Sequence, residues 1–457
     1  MQALDQTSAS PIGATRNLGE LRQQEFARLD ENQQVYFDYT GAALYPISLV
    51  DHHADRLRKL VLGNPHSYNP AALAATQNVD DVRRQVLNSF NASSKDYCVI
   101  FTANATAAVK LVAESFPFQS GSQLLLTTDN HNSINGIREY AWAKGAQIHY
   151  VQADMDLGLS HLQSFLADSK PVSWPSIFAY PAQSNFSGIK HSLRYIDQAQ
   201  QLGYNVVLDA AAFAPSNRLD LSQYKPDFVC LSFYKMFGYP TGVGALIARK
   251  DALKTLSRPW FAGGVVDFAS TQYPIHQLSQ DEAGFEDGTV NFTTLLAVSR
   301  GLSFLQELSM DAIGQHLQSL GDAILSGMGE LQHNNGQPLV KLYGGSLLEY
   351  GSCRAFNLLD PQGYMIDYEL VEQQAGLHGI SIRGGCFCNP GCAEAALELS
   401  PEKMEACLES LRDDFSHQKL ARCLGQVSVG ALRVSWGIAN NQSDVEKLIR
   451  FLKTFLS

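Results

Sequence analysis

Ser232-Phe233-Tyr234-Lys235-Met236-Phe237-Gly238-Tyr239-Pro240-Thr241-Gly242-Val243-Gly244 places one lysine between two apolar runs, Phe228 to Phe233 before it and Val243 to Ala248 after it. A lysine at a strand end beside buried segments is costly to keep charged, and its pKa falls. An amine of that kind condenses readily with an aldehyde to give a Schiff base. The plainer alternative is a lysine whose stem lies along the strand end with its ammonium in water. The surrounding chain decides between the two.

Outward from this lysine, apolar runs alternate with amphipathic stretches. The strand candidates are Cys98–Phe101, Gln123–Leu126, Gln147–Val151, Ser176–Tyr180, Asn205–Leu208, Asp227–Leu231 and Val243–Ala248. Helical patterns fill most of the gaps, as at Ala107–Ser115 and Leu193–Leu202. This rhythm predicts an α/β layered fold around a largely parallel sheet. Leu18 to Leu29 reads as a short helix and Val35–Tyr39 as a strand. A helix over Leu295–Leu308 leads into a second part, with helices at Ala312–Leu331, Asp367–Leu377 and Ser443–Phe455. The expected organisation is an N-terminal arm at 1–34, a large domain at 35–305 and a smaller α/β domain at 306–457.

The 457 residues carry a formal charge of -11, with 45% hydrophobic and 17% charged positions. That balance argues against a nucleic-acid or anionic-membrane partner. The sequence contains no apolar run long enough to span a bilayer, and its first residues lack an apolar signal core, so a cytoplasmic protein is expected. Eight cysteines over this length do not read as a disulfide framework.

Several polar residues follow predicted strands. Thr102-Ala103-Asn104-Ala105-Thr106 precedes a helix, and small residues with a hydroxyl at a helix N-terminus suit a phosphate; an ordinary Asn cap is the plain alternative. Asp209 follows Tyr204–Leu208 and is placed either to pair with a pyridinium nitrogen or to cap a turn. His131 and Asn185 likewise follow strands, offering a flat ring to stack and an amide to reach an oxygen. Each signal is weak alone, but all of them fall at strand ends.

Phe101–Thr106, the His131 segment, Ala182-Gln183-Ser184-Asn185-Phe186, Leu208–Ala212 and the Lys235 stretch together resemble the class V aminotransferases, which are fold-type I pyridoxal phosphate enzymes. The branch resembled most is the cysteine-desulfurase-like domain of the molybdenum cofactor sulfurases. Its most specific match is Arg383-Gly384-Gly385-Cys386-Phe387-Cys388-Asn389-Pro390-Gly391-Cys392. Gly63–Ser67, Phe285–Thr289 and Gly430–Gly437 support it, and the similarity runs from about residue 34 to 440. The resemblance implies a mostly parallel seven-stranded sheet in the large domain. It also implies that Lys235 holds pyridoxal phosphate covalently, Asp209 pairs with the ring nitrogen, His131 stacks on the ring and Asn185 contacts the ring hydroxyl. Ala105, Thr106 and Ser232 would hold the phosphate. Thr289 would reach the cofactor of a neighbouring subunit, which implies a homodimer. Arg433 would grip the substrate carboxylate as a bidentate fork, with Arg383 the second candidate.

Cys386, Cys388 and Cys392 admit three readings. A structural zinc site lacks a second pair of soft ligands nearby, so no metal is expected. Buried inert thiols are the second reading. The third is a nucleophile on a mobile, glycine-rich loop near the positive charge of Arg383, which favours thiolate. The resemblance selects the third, with Cys388 as the persulfide-forming cysteine and Cys386 and Cys392 as candidate relay thiols.

The expected reaction is desulfuration of L-cysteine to alanine, with sulfur left on Cys388 for an acceptor protein or cofactor. The competing reactions are those of a cysteine or cystine C–S lyase, a selenocysteine lyase, an epimerase and an aminotransferase; a non-catalytic sulfur-relay scaffold is the alternative outside enzymes. Two positions depart from many class V desulfurases: Tyr234 stands where they carry His, and Ala212 where they carry Gln. Gln183 is the candidate to take over the latter contact. Eukaryotic sulfurases also continue into a β-rich domain, whereas this sequence stops at Ser457, which points to a separate sulfur acceptor or a different reaction.

Overall fold

The computed structural model describes residues 18–155, 158–345, 348–414, 416–425 and 429–457. Residues 1–17 of the expected N-terminal arm at 1–34 lie outside them. The central sheet has seven strands: β1 (Tyr97–Thr102), β2 (Gln123–Thr127), β3 (Gln147–Val151), β4 (Ile177–Pro181), β5 (Asn205–Asp209), β6 (Phe228–Ser232) and β7 (Gly244–Arg249). Their order is β1-β7-β6-β5-β4-β2-β3. All pairs are parallel except those of β7, which runs antiparallel to both β1 and β6.

These strands read as apolar runs because both faces of the sheet are covered. Alternate side chains enter two separate cores. Val99, Phe101, Val229 and Leu231 join one, while Cys98, Ile100, Phe228 and Cys230 join the other. Glu286 ties the Phe285–Thr289 segment to the sheet edge, accepting from the Phe101 N–H at 3.0 Å and from Arg83 Nη2 at 2.8 Å.

The helices Leu295–Leu308 and Met310–Gly329 lead to a four-stranded antiparallel sheet of β8 (Val340–Leu342), β9 (Cys353–Leu358), β10 (Arg383–Gly385) and β11 (Ala431–Ser435), in the order β8-β9-β11-β10. The expected short N-terminal helix is split into Leu18–Glu25 and Arg28–Glu31.

Val35–Tyr36 pairs in parallel with Ile380–Ser381, and Asp38 bridges to Ser435. Residues assigned from sequence to the large domain are thus stitched to the small one. Such pairing joins distant parts of the chain and leaves no local pattern to read. Among the described residues no helix is long and apolar enough to cross a membrane. Cys407 and Cys423 form a disulfide, whereas spacing alone suggested none.

Candidate active site

The carboxyl ends of β1, β2, β4, β5 and β6 open on one edge of the large sheet, where ligands of open α/β folds bind. There they line a cleft of about 150 Å³ that opens to solvent. Asn104, Ala105, Thr106, His131, Asn185, Asp209, Ser232 and Lys235 all reach it. Seven of the eight proposed cofactor-binding residues therefore meet in one place.

At one end, the helix Ala105–Ser115 points its N-terminus at the cleft. Asn104 caps it, accepting from the Ala107 N–H at 3.0 Å. The Ala105 N–H donates to Ser232 Oγ at 2.9 Å, and the Thr106 and Ser133 hydroxyls are 2.7 Å apart. A positive helix dipole end and three hydroxyls fit a phosphate. Gly244 permits this approach, because a Cβ there would lie 2.6 Å from Asn104 Cα and 2.6 Å from the Leu231 carbonyl oxygen.

At the other end stand Lys235, Asp209 and His131. Lys235 follows β6 on the one-turn helix Phe233–Phe237 and is half-buried. Burial lowers its pKa; Asp209 pulls it back up, and Arg433 pushes it further down. Asp209 ends β5 and accepts from the Ala211 N–H at 2.9 Å. His131 Nδ1 accepts from the Ser133 N–H at 3.1 Å, which leaves the ring proton on Nε2. Burial also lowers the His131 pKa, so the ring is neutral near pH 7. A poised amine, a carboxylate and a neutral flat ring around one space fit a pyridine aldehyde.

Thr289 is not part of this group. It is exposed, in a depression with Thr102, Ala103 and Gly242, and its hydroxyl donates to Asn64 Oδ1 at 3.5 Å.

Arg433 lies on β11 and is buried. Its Nη1 donates to the Asn185 carbonyl at 2.9 Å and its Nη2 to Asp38 Oδ1 at 3.2 Å, while Nε is buried without a partner. Burial lowers its pKa. The bidentate fork expected for a substrate carboxylate is thus already engaged by protein acceptors. Arg383 grips the same Asp38, its Nε 3.0 Å from each carboxylate oxygen and its Nη2 2.5 Å from Oδ2. The Arg383 side chain stays 48% exposed.

The cysteine loop lies against this same edge. Cys388 is exposed, Cys386 partly so, and Cys392 is buried. The Cys388 carbonyl accepts from the N–H of Asn132, next to His131, at 2.7 Å. Asn185 Nδ2 donates to the Phe387 carbonyl at 2.7 Å, and Asn185 Oδ1 accepts from Asn389 Nδ2 at 2.9 Å. In this arrangement the Asn185 amide serves the loop. Burial drives the Cys392 thiol well up, and beside Asp129 it stays protonated, which suits an inert thiol better than a relay.

Gly391 was read as a source of loop mobility. In the structure it permits close packing, since a Cβ there would sit 2.4 Å from the Thr128 carbonyl oxygen. Asp38, Asp129, Ser133 and Asn389 were missed as site residues. For Asn389 a signal existed: an asparagine directly before proline at a helix start.

The family model for aminotransferase class V matches residues 35–448. The chain belongs to the class V aminotransferase family, whose members are pyridoxal phosphate enzymes, and it has the fold-type I architecture. It is 36% identical over 471 residues to the molybdenum cofactor sulfurase of Solanum lycopersicum, covering 96% of this chain and 57% of that one. It is 35% identical to the molybdenum cofactor sulfurase of Homo sapiens, covering 95% of this chain and 51% of that one. The chain thus spans a little over half the length of these curated relatives. Among solved structures, it is similar to an apo cysteine desulfurase from Thermococcus onnurineus NA1, with a TM-score of 0.77, 22% identity and coverage of 96% and 98%. It is also similar to a cysteine desulfurase of Escherichia coli in S-sulfonic acid form, with a TM-score of 0.75, 21% identity and coverage of 96% and 98%.

Proposed function

We propose that this chain is a pyridoxal-phosphate-dependent cysteine desulfurase that draws sulfur from L-cysteine onto Cys388 and releases alanine. The observation that carries this reading is an exposed cysteine on a loop bonded to the cleft wall, with the Cys388 carbonyl 2.7 Å from the Asn132 N–H beside His131. The sulfurase names of its relatives support the same choice.

When bound, the cofactor supplies an electron sink for the substrate carbanion. Ala105, Thr106, Ser133 and Ser232 would hold its phosphate, Asp209 would pair with its ring nitrogen, and the neutral His131 would stack on it. Lys235 would be the amine that holds its aldehyde and the base that takes the proton from Cα; burial lowers the pKa of this amine, which favours the free-base form. The half-exposed Arg383 meets the substrate carboxylate, and the buried Arg433 holds Asp38 beside it.

The Cys388 thiolate then forms an S–S bond with the substrate sulfur as the Cβ–S bond breaks. The electron pair of the broken bond passes to the carbon skeleton, which takes up protons and leaves as alanine. L-cysteine and one thiol thus give alanine and one persulfide, with no outside oxidant. The persulfide then passes to an acceptor protein or cofactor. Thr289 serves the cofactor of a second copy, which makes the working unit a homodimer.

The test is incubation with L-cysteine while alanine, pyruvate and protein-bound persulfide are measured together. Equal alanine and persulfide in the first turnover is the expected result. Pyruvate and ammonia without persulfide would instead mark a C–S lyase.

A further inference from the structure

Below the Cys388 loop lies a buried polar network that the proposed chemistry does not use. Its centre is Asp129, a carboxylate just past the end of β2 and 2% exposed. Asp129 accepts from His191 Nε2 at 2.8 Å, from Ser184 Oγ at 2.9 Å and from Asn389 Nδ2 at 2.6 Å. Burial alone would raise the pKa of this carboxylate, but the His191, Cys392 and Asn389 hydrogen bonds outweigh it, so the value falls and Asp129 is an anion. A buried anion is tolerated only with several donors in fixed positions.

Asn389 is the member of this network that belongs to the loop. Its amide nitrogen is shared between Asp129 and Asn185 Oδ1, and its amide oxygen caps the helix Pro390–Ala396, accepting from the Cys392 N–H at 3.3 Å. On the other side of Cys388, Phe387 is buried against Phe186, with ring centroids 5.4 Å apart. Between these anchors, Phe387 and Cys388 both adopt φ of +55°. Two consecutive non-glycine residues in the left-handed region are costly and persist only where their surroundings dictate them. The thiol sits at the apex of this enforced turn.

We propose that Asn389, held by the Asp129 carboxylate, is the positioning residue that fixes the Cys388 thiol for attack on the substrate sulfur. This rests on the reading of Cys388 as the sulfur-accepting group. Neither residue touches the reacting atoms. The network sets where the thiol stands, and in-line attack on a sulfur is sensitive to displacements of about 1 Å.

The test uses the full chain loaded with its cofactor. In Asn389→Ala, the absorbance change on adding L-cysteine, which reports substrate binding and Cα proton loss, is expected to stay within about twofold of the parent. Single-turnover persulfide formation on Cys388 is expected to fall by about 10²-fold. Amide hydrogen exchange over residues 386–392 is expected to quicken in parallel. Asp129→Asn should reproduce the effect; if that variant does not fold, Asn389→Ala, which leaves the bonds of Asp129 to His191 and Ser184 in place, carries the test alone. An equal loss in both kinetic phases would show a merely structural role and overturn the proposal. If Cys388→Ser is inactive yet Asn389→Ala makes persulfide at the parental rate, only the positioning role falls. If Cys388→Ser keeps full turnover, the reading of Cys388 falls, and the positioning role with it.

Discussion

Arg433 Nη2 lies 3.2 Å from Asp38 Oδ1, joining two residues that stand 395 positions apart in the chain. Arg383 holds the same carboxylate, so one buried anion balances two guanidinium groups. Replacing Asp38 with Asn would leave the buried Arg433 charge without its counter-ion. Loss of one partner from a buried pair costs about 3 kcal/mol or more. Urea unfolding of Asp38→Asn should show a loss of that size. An unchanged midpoint would mean that Asp38 does not stabilise Arg433.

The Lys235 amine has a pKa below its ordinary 10.5 because it is buried, and Asp209 limits the fall. Covalent capture of pyridoxal phosphate by the cofactor-free chain should therefore rise with pH to a midpoint below 10.5. Asp209→Asn removes the charge that favours the ammonium, so its midpoint should move lower still. A parental midpoint at or above that of free lysine would contradict the assignment.

Much of this site was legible in the sequence, and for a physical reason. The strands of a parallel sheet covered on both faces are continuous apolar runs, so their ends can be read, and functional groups of such folds stand at those ends. Ala105, His131, Asp209 and Lys235 were read that way, whereas Ser232 came only from the family resemblance. The helix Leu295–Leu308 matched its expected bounds. Asp38, Asp129 and Asn389 were not found, because what makes them matter is a partner hundreds of residues away, as in Asp38 with Arg433 and Asp129 with Asn389. The pairing of Val35–Tyr36 with Ile380–Ser381 escaped for the same reason. The loop glycines suggested motion, but for Gly391 the structure shows close packing against Thr128.

The Asp129 carboxylate has a folded-state pKa below its ordinary 3.8. Its contribution to stability is thus complete above that value and is lost as pH falls through the lower, folded value. The parent should exceed Asp129→Asn in stability by about 2 kcal/mol or more near neutral pH, from charge-assisted hydrogen bonds alone. This gap should hold down to about pH 5 and close in stronger acid. Chemical denaturation of both proteins across pH checks this, and a gap that closes between about pH 7 and 5 would point to a different titrating group.

Cys388→Ser should keep the absorbance of bound cofactor and its change on adding L-cysteine, while alanine and persulfide formation fall to background. The serine hydroxyl is not ionised near neutral pH and is a far poorer nucleophile than a thiolate. Cys392→Ala should retain persulfide formation, since its buried thiol is held protonated. Loss of persulfide in Cys392→Ala with retention in Cys388→Ser would reverse the two assignments.

The most direct test of the account is borohydride reduction of the purified, cofactor-loaded protein, followed by peptide mapping. A single pyridoxyl group on Lys235 is the predicted result. A pyridoxyl group on any other lysine, or none at all, would contradict it.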